Sequence, residues 1–96
     1  MIIEKNVKMT TVEMSLEGWL DTQAAPALLR ELEQLDDHVE SLIMDFSGLE
    51  YMSSTGLRAL VVAYEKVKGG LVIKNVSPRI RSIFKTTGLD KKLKIE

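Results

Sequence analysis

Three hydroxyl residues stand in a row at Ser53, Ser54 and Thr55, inside the stretch Tyr51-Met52-Ser53-Ser54-Thr55-Gly56-Leu57-Arg58. An apolar strand-like run (Leu42, Ile43, Met44) precedes them, and a helix-periodic run (Leu57, Leu60, Val61, Tyr64, Val67) follows. A hydroxyl at such a junction sits at the start of a helix, where unpaired N–H groups favour negative charge. It can cap the helix, hold an anion or carry a phosphate. One serine suffices for a cap, so two serines and a threonine exceed that need. Gly56 is expected to permit close packing at the helix start. Asp45 and Ser47 flank the expected exit from the preceding strand. The carboxyl ends of parallel strands gather loops into a functional edge, while Asp and Ser also make ordinary turns.

Other chemistry is poorly supplied. His38 is the one histidine, among Asp36, Asp37 and Glu40, and reads as a solvated loop residue. With one His and no Cys, neither a Ser-His-Asp arrangement nor a His-rich or thiolate zinc site can be assembled. Neither a phosphate-binding loop with its lysine nor a G-x-G-x-x-G turn is present. No acid–base pair or activated nucleophile emerges, so an enzyme is not expected, and neither is a cofactor or metal. Trp19, after Gly18, reads as a partly buried residue at the core's edge rather than a ligand platform.

The elements that must position the hydroxyls follow from periodicity. Val12, Met14 and Leu16 alternate with polar residues as a half-buried strand closed by Gly18, and Ile2-Ile3 begins an earlier strand. Thr22 is the expected N-cap of a first helix, with Pro26 in its first turn and Ala25, Leu28, Leu32 and Leu35 on its buried face, ending near Leu35. Ser41 to Asp45 reads as a short inner strand covered on both faces. A second helix spans about Ser54 to Lys68, stopped by Gly69-Gly70. Leu71-Val72-Ile73 is a further strand. Ser77-Pro78 opens a third helix, Ile80, Ile83 and Phe84 mark its buried face, and Gly88 ends it. Leu93-Lys94-Ile95 closes the chain as a short strand. The order predicts one α/β domain over residues 1–96. Its expected sheet is small, mixed and largely parallel, with four to five strands, three to four helices and right-handed crossovers.

The chain has 96 residues, 45% hydrophobic and 28% charged, the balance of a soluble globular domain. No apolar run is long enough to span a membrane and the start is not a signal peptide, so direct membrane insertion is not expected. The absence of cysteine fits a reducing compartment, and the cytoplasm is the expected location. Residues 1–50 hold 3 basic and 11 acidic residues, net −8, whereas residues 51–96 hold 10 and 3, net +7. The two halves are expected to interleave and mix these charges. The basic half carries only Tyr51, Tyr64 and Phe84 as aromatics, so a nucleic-acid partner is not expected.

The run Asp45-Phe46-Ser47, six residues, then Ser54-Thr55-Gly56-Leu57 resembles the STAS domain, named for sulphate transporters and anti-sigma factor antagonists. Gly18-Trp19-Leu20-Asp21 is similar to the family's G-x-L-D before the first helix. Gly70 to Ser77 is similar to its strand leading into the third helix, and Phe84 to Leu89 to that helix's end. Four motifs in order cover nearly the whole chain. The resemblance implies a bacterial anti-sigma factor antagonist, a monomer that binds an anti-sigma factor that is also a serine kinase and is reset by a PP2C-type phosphatase. It implies Ser54 as the phosphorylated residue. Many members carry Asp directly before that serine where this chain has Ser53, so Ser53 is the alternative acceptor. The implied partner-binding edge comprises Asp21, Asp45, Ser47, Ser53, Thr55, Gly56 and Arg58. Two other roles stay open on the same resemblance: a STAS subunit docking on an ABC-type ATPase in a membrane transport assembly, and a nucleotide or small-ligand sensor.

Overall fold

The computed structural model describes residues 1–68 and 70–96. Among them the elements run β1 (Ile2–Lys8), β2 (Thr11–Leu20), α1 (Ala25–Glu33), β3 (Ser41–Met52), α2 (Ser54–Lys66), β4 (Leu71–Lys74), α3 (Pro78–Thr87), a 3₁₀ turn (Leu89–Lys91) and β5 (Lys94–Ile95). The five strands form one sheet in the order β1-β2-β3-β4-β5. β1 and β2 are an antiparallel pair, and the remaining neighbours are parallel. This is the mixed, largely parallel α/β sheet that the periodicity predicts.

Because every parallel crossover steps the same way along the sheet, right-handedness puts all its helices on one face. Burial follows from that. Val12, Met14 and Leu16 of β2, Leu42, Met44 and Phe46 of β3, and Leu71 and Ile73 of β4 point into the core. Ala25, Leu28 and Leu32 of α1, Ala59, Leu60 and Ala63 of α2, and Ile80 and Phe84 of α3 close over them. The interleaved residues Glu13, Ile43 and Asp45 face the uncovered side and keep contact with solvent. β3 is therefore covered on one face, not two. Its apolar run is unbroken because Ile43 sits in mid-sheet.

Two element ends differ from expectation. β3 does not stop at Asp45 but runs to Met52, and β2 runs past Gly18 to Leu20. The β2–β3 pairing slips at Ser15/Glu17 and again at Gly18/Trp19, and Gly18 takes a φ of 99° at the second slip. A glycine there accommodates the kink and lets the strand continue. The second helix ends at Lys66 with Val67 as C-cap. The expected stop at Gly69 lies outside the described residues.

Strand order equals chain order, so the halves lie side by side and do not interleave. The acidic residues of β2, α1, the α1–β3 connection and β3 gather on one side, beyond which the edge strand β1 carries Glu4 against Lys5 and Lys8, while the basic residues of β4, β5 and α3 lie toward the other. The charge asymmetry of the sequence is thus a lateral polarity of the domain.

Candidate functional site

The site forms where β2 and β3 end together. Leu20 pairs with Met52, and the Ser53 N–H donates to the Leu20 carbonyl at 2.9 Å. This ties the start of α2 to the strand leading toward α1. Ser53 has an extended backbone (φ −91°, ψ 173°), and its Oγ accepts the Gly56 N–H at 3.2 Å. It is the N-cap of α2. Ser54, the next residue, is solvent-exposed in the first turn and makes no side-chain hydrogen bond among the described residues. Thr55 is half-buried, with its Oγ1 3.4 Å from the Thr22 Oγ1.

Gly56 makes the junction possible. A Cβ at this position would stand 2.6 Å from the Leu20 carbonyl oxygen, 2.8 Å from the Leu20 Cγ and 3.1 Å from the Met52 Cγ. The nearest obstacle is backbone, which cannot swing aside. A larger residue would push α2 off the strand ends and shift every hydroxyl of the site.

Asp21 joins this edge, and it replaces Thr22 in the role expected at the start of α1. Its Oδ1 accepts the N–H groups of Gln23 at 3.1 Å and Ala24 at 2.9 Å, so the turn before α1 closes on a carboxylate. α1 then starts at Ala25 with Pro26 in its first turn and no side-chain cap on Ala24. Thr22 reaches across to Thr55 instead. Arg58 is exposed one turn into α2 and has no ion pair among the described residues.

Asp45 and Ser47 stand apart from this edge. Six residues of β3 lie between Asp45 and Met52, alongside the run from Ser15 to Leu20 of β2, roughly 17 Å along the sheet. Asp45 sits beside Lys74 in the strand register. Its Oδ1 accepts the Asn75 side-chain amide at 3.0 Å and the Ser47 N–H at 2.9 Å. The Asn75 amide, then the Ser47 N–H, hold its carboxyl below the usual carboxylate range. The pair therefore organises the β4–α3 connection, where Asn75 takes a φ of 59°. The sequence could not separate the two clusters, because it gave no mark that β3 continues past Asp45.

At the far end of the domain His38 is exposed, with its Nδ1 2.6 Å from Asp36 Oδ1. The Asp36 carboxylate raises the histidine pKa. The His38 N–H and ring, in that order, lower that of Asp36. The pair is a solvated loop contact, as expected of His38.

Trp19 departs from its expected place. It is 58% exposed and packs against Tyr51, itself 41% exposed, with ring centroids 5.4 Å apart and planes tilted by 51°. The signal was present in the alternation. Val12, Met14, Leu16 and Leu20 are inward, so an odd-numbered Trp19 belongs outside.

Residues 3–96 match the profile of the STAS domain family. A protein of Bacillus subtilis (strain 168) named anti-sigma-B factor antagonist is 32% identical over 81 residues, covering 81% of this chain and 74% of that one. The crystal structure of an anti-sigma factor antagonist from Mycobacterium paratuberculosis superposes with a TM-score of 0.86 at 28% identity, covering 98% of this chain and 83% of that one. The Bacillus cell fate determinant SpoIIAA in its phosphorylated form shares the fold. Its TM-score is 0.75 at 23% identity, over 99% of this chain and 91% of that one.

Proposed function

The chain belongs to the STAS domain family, and we propose that it acts there as an anti-sigma factor antagonist switched by phosphorylation of Ser54. In this reading it is a cytoplasmic binding module without enzymatic activity. Unphosphorylated, it holds an anti-sigma factor that is also a serine kinase and so frees a sigma factor. A PP2C-type phosphatase restores the binding form. The observation that carries the reading is the division of labour between adjacent serines. Ser53 is committed to the cap, and Ser54 stands exposed beside it with a hydroxyl that makes no hydrogen bond among the described residues.

The physical chemistry supports a switch that acts on the partner and spares the fold. A phosphoserine adds about −1.5 to −2 charges at neutral pH. In the first turn of α2 the helix dipole and free N–H groups favour that charge, and Arg58 lies one turn away. The domain therefore keeps its fold. Binding is lost because a doubly charged group must be desolvated at a packed interface or is repelled by acids of the partner. Relatives bearing the antagonist name, and a relative of the same fold in a phosphorylated form, lend weight to this reading.

The test is incubation with ATP and the cognate anti-sigma factor kinase. The expected result is a gain of one phosphate by intact mass and loss of the complex on gel filtration. A protein that neither gains phosphate nor binds the kinase would overturn the proposal.

A further inference from the structure

The core of this domain is complete without Trp19. Among the described residues no polar or charged residue is buried, and twenty-two apolar residues form one cluster under the helices. Trp19 and Tyr51 lie on the opposite, uncovered face, at the end of the sheet where β2 and β3 finish. Each belongs to the residue pair just before the Leu20–Met52 pair that fixes the start of α2. Met1 borders them: its Cα lies within 3.5 Å of where a Cβ on Gly18 would be. Together with Trp19, Asp21, Gln23 and Ala24 it lines a shallow hollow of about 450 Å³. The largest aromatic side chain in the protein is thus held in water next to the phosphoacceptor edge.

We infer that Trp19 and Tyr51 form the phosphorylation-independent anchor by which this protein holds its anti-sigma factor. They would insert into an apolar pocket of that partner bordered by basic side chains. The inference rests on the reading of the chain as an antagonist and deepens it by naming the contact that supplies affinity.

Three observations converge on this occupant. The first is area. A stable protein–protein contact takes about 800 Å² from each partner, a patch roughly 30 Å across. The hydroxyl edge offers Ser53, Ser54, Thr55 and the buried Gly56, with no large exposed apolar group among them. Such an edge can refuse a partner when it is charged, but Arg58 is its one side chain of the kind that dominates binding energy, and Trp19 and Tyr51 are two more beside it. The second is continuity. Ser54 follows Tyr51 by three residues, no more than about 11 Å of chain. A partner large enough to cover the serine therefore also covers the aromatic pair. The third is charge. Glu17, Asp21 and Glu50 neighbour the pair in the chain, and none of the three is in an ion pair among the described residues. β2 and β3, which carry the pair, hold four acidic residues and no basic one, so a partner seated here meets carboxylates that its own lysines or arginines would satisfy.

The test uses the full chain, its Trp19→Ala, Tyr51→Ala and Met9→Ala variants, and the kinase identified by the phosphorylation assay above. Met9 is 97% exposed at the other end of β2 and serves as the control for a surface apolar residue outside the footprint. Trp19→Ala is expected to weaken binding of the unphosphorylated protein by about thirtyfold or more, and Tyr51→Ala by about tenfold, at unchanged thermal midpoints. Met9→Ala should bind as the wild type does. A second readout needs no variant. Trp19 is the chain's one tryptophan, so a fluorotryptophan label gives a single fluorine NMR line, which should shift and broaden on binding. Wild-type binding with no loss in Trp19→Ala, or with an unmoved fluorine line, overturns this inference and leaves the antagonist reading standing. Absence of wild-type binding overturns both.

Discussion

The starts of α2 and α3 are built on the same cap and differ in what they do with the rest of the first turn. Ser53 accepts the Gly56 N–H at 3.2 Å, and Ser77 accepts the Ile80 N–H at 3.2 Å. Both serines are extended, and both begin a helix that packs on the same face of the sheet. At α3 the next two residues are Pro78 and Arg79. The proline supplies the helical φ and removes an N–H that had no helical partner. At α2 the corresponding residues are Ser54 and Thr55, both weaker helix formers than alanine. Capping explains α3 completely. At α2 it explains Ser53 and leaves Ser54 with a hydroxyl that makes no hydrogen bond among the described residues. The helix start that departs from the best structural solution is the one to examine for function.

That contrast can be broken or sharpened by substitution, and the effects should fall in a definite order. The largest concerns binding. Ser54→Asp should weaken the complex with the kinase by about thirtyfold or more, because a charge is placed at a packed interface, whereas a new acid at Arg79 on α3 should leave affinity unchanged. Calorimetric titration reads both, and equal effects at the two helix starts would end the functional distinction between them. Next is Gly56→Ala, expected to cost about 1–3 kcal/mol in urea unfolding because the methyl group meets the Leu20 carbonyl. A neutral outcome would show that α2 can withdraw from the strand ends. The two caps come third. Ser53→Ala and Ser77→Ala should each cost about 1 kcal/mol, while Ser54→Ala should stay within about 0.5 kcal/mol of the wild type. A Ser54→Ala cost as large as the caps would mean that Ser54 is structural.

The smallest effect concerns the connection feeding α3. Asp45 has a lowered pKa chiefly through the Asn75 amide. A depressed carboxylate contributes stability that is present above its unfolded value and lost as pH falls through the folded one. Asn75→Gly keeps the positive φ and removes the donor, so the Asp45 titration followed by NMR should move up toward the ordinary range. The acid limb of the stability curve should then flatten. An unmoved titration would transfer the cause to the Ser47 N–H.

The sequence made the architecture legible wherever one residue type has one physical use. Ser77-Pro78 and Gly88 bracket α3 as expected, since proline at the first helical position and a left-handed glycine at the end each answer a single backbone need. The three hydroxyls were placed correctly at a helix start for the same reason. Legibility failed where the answer depended on neighbours in space. Thr22 had the right chemistry for a cap, but Asp21 stood one residue closer to the strand end and took the turn N–H groups. β3 had no stop signal at Asp45 because Asp45-Phe46-Ser47 is compatible with either a turn or a strand, and pairing with β2 decides for the strand. The halves of the charge distribution could be counted but not arranged, because lateral strand order is a tertiary fact. Trp19 could have been placed outward by alternation alone. The apolar character of its side chain argued the other way, and the completed core shows why alternation wins.

The claim that adjacent serines divide the labour of capping and phosphate acceptance is tested most directly by locating the phosphate. After incubation with ATP and the kinase, peptide fragmentation should place the modification on Ser54 alone. Ser53→Ala should still be modified there, and Ser54→Ala should carry none. Phosphate found on Ser53, or retained elsewhere in Ser54→Ala, would contradict the account, because the hydroxyl that caps α2 would then also be the one that switches it.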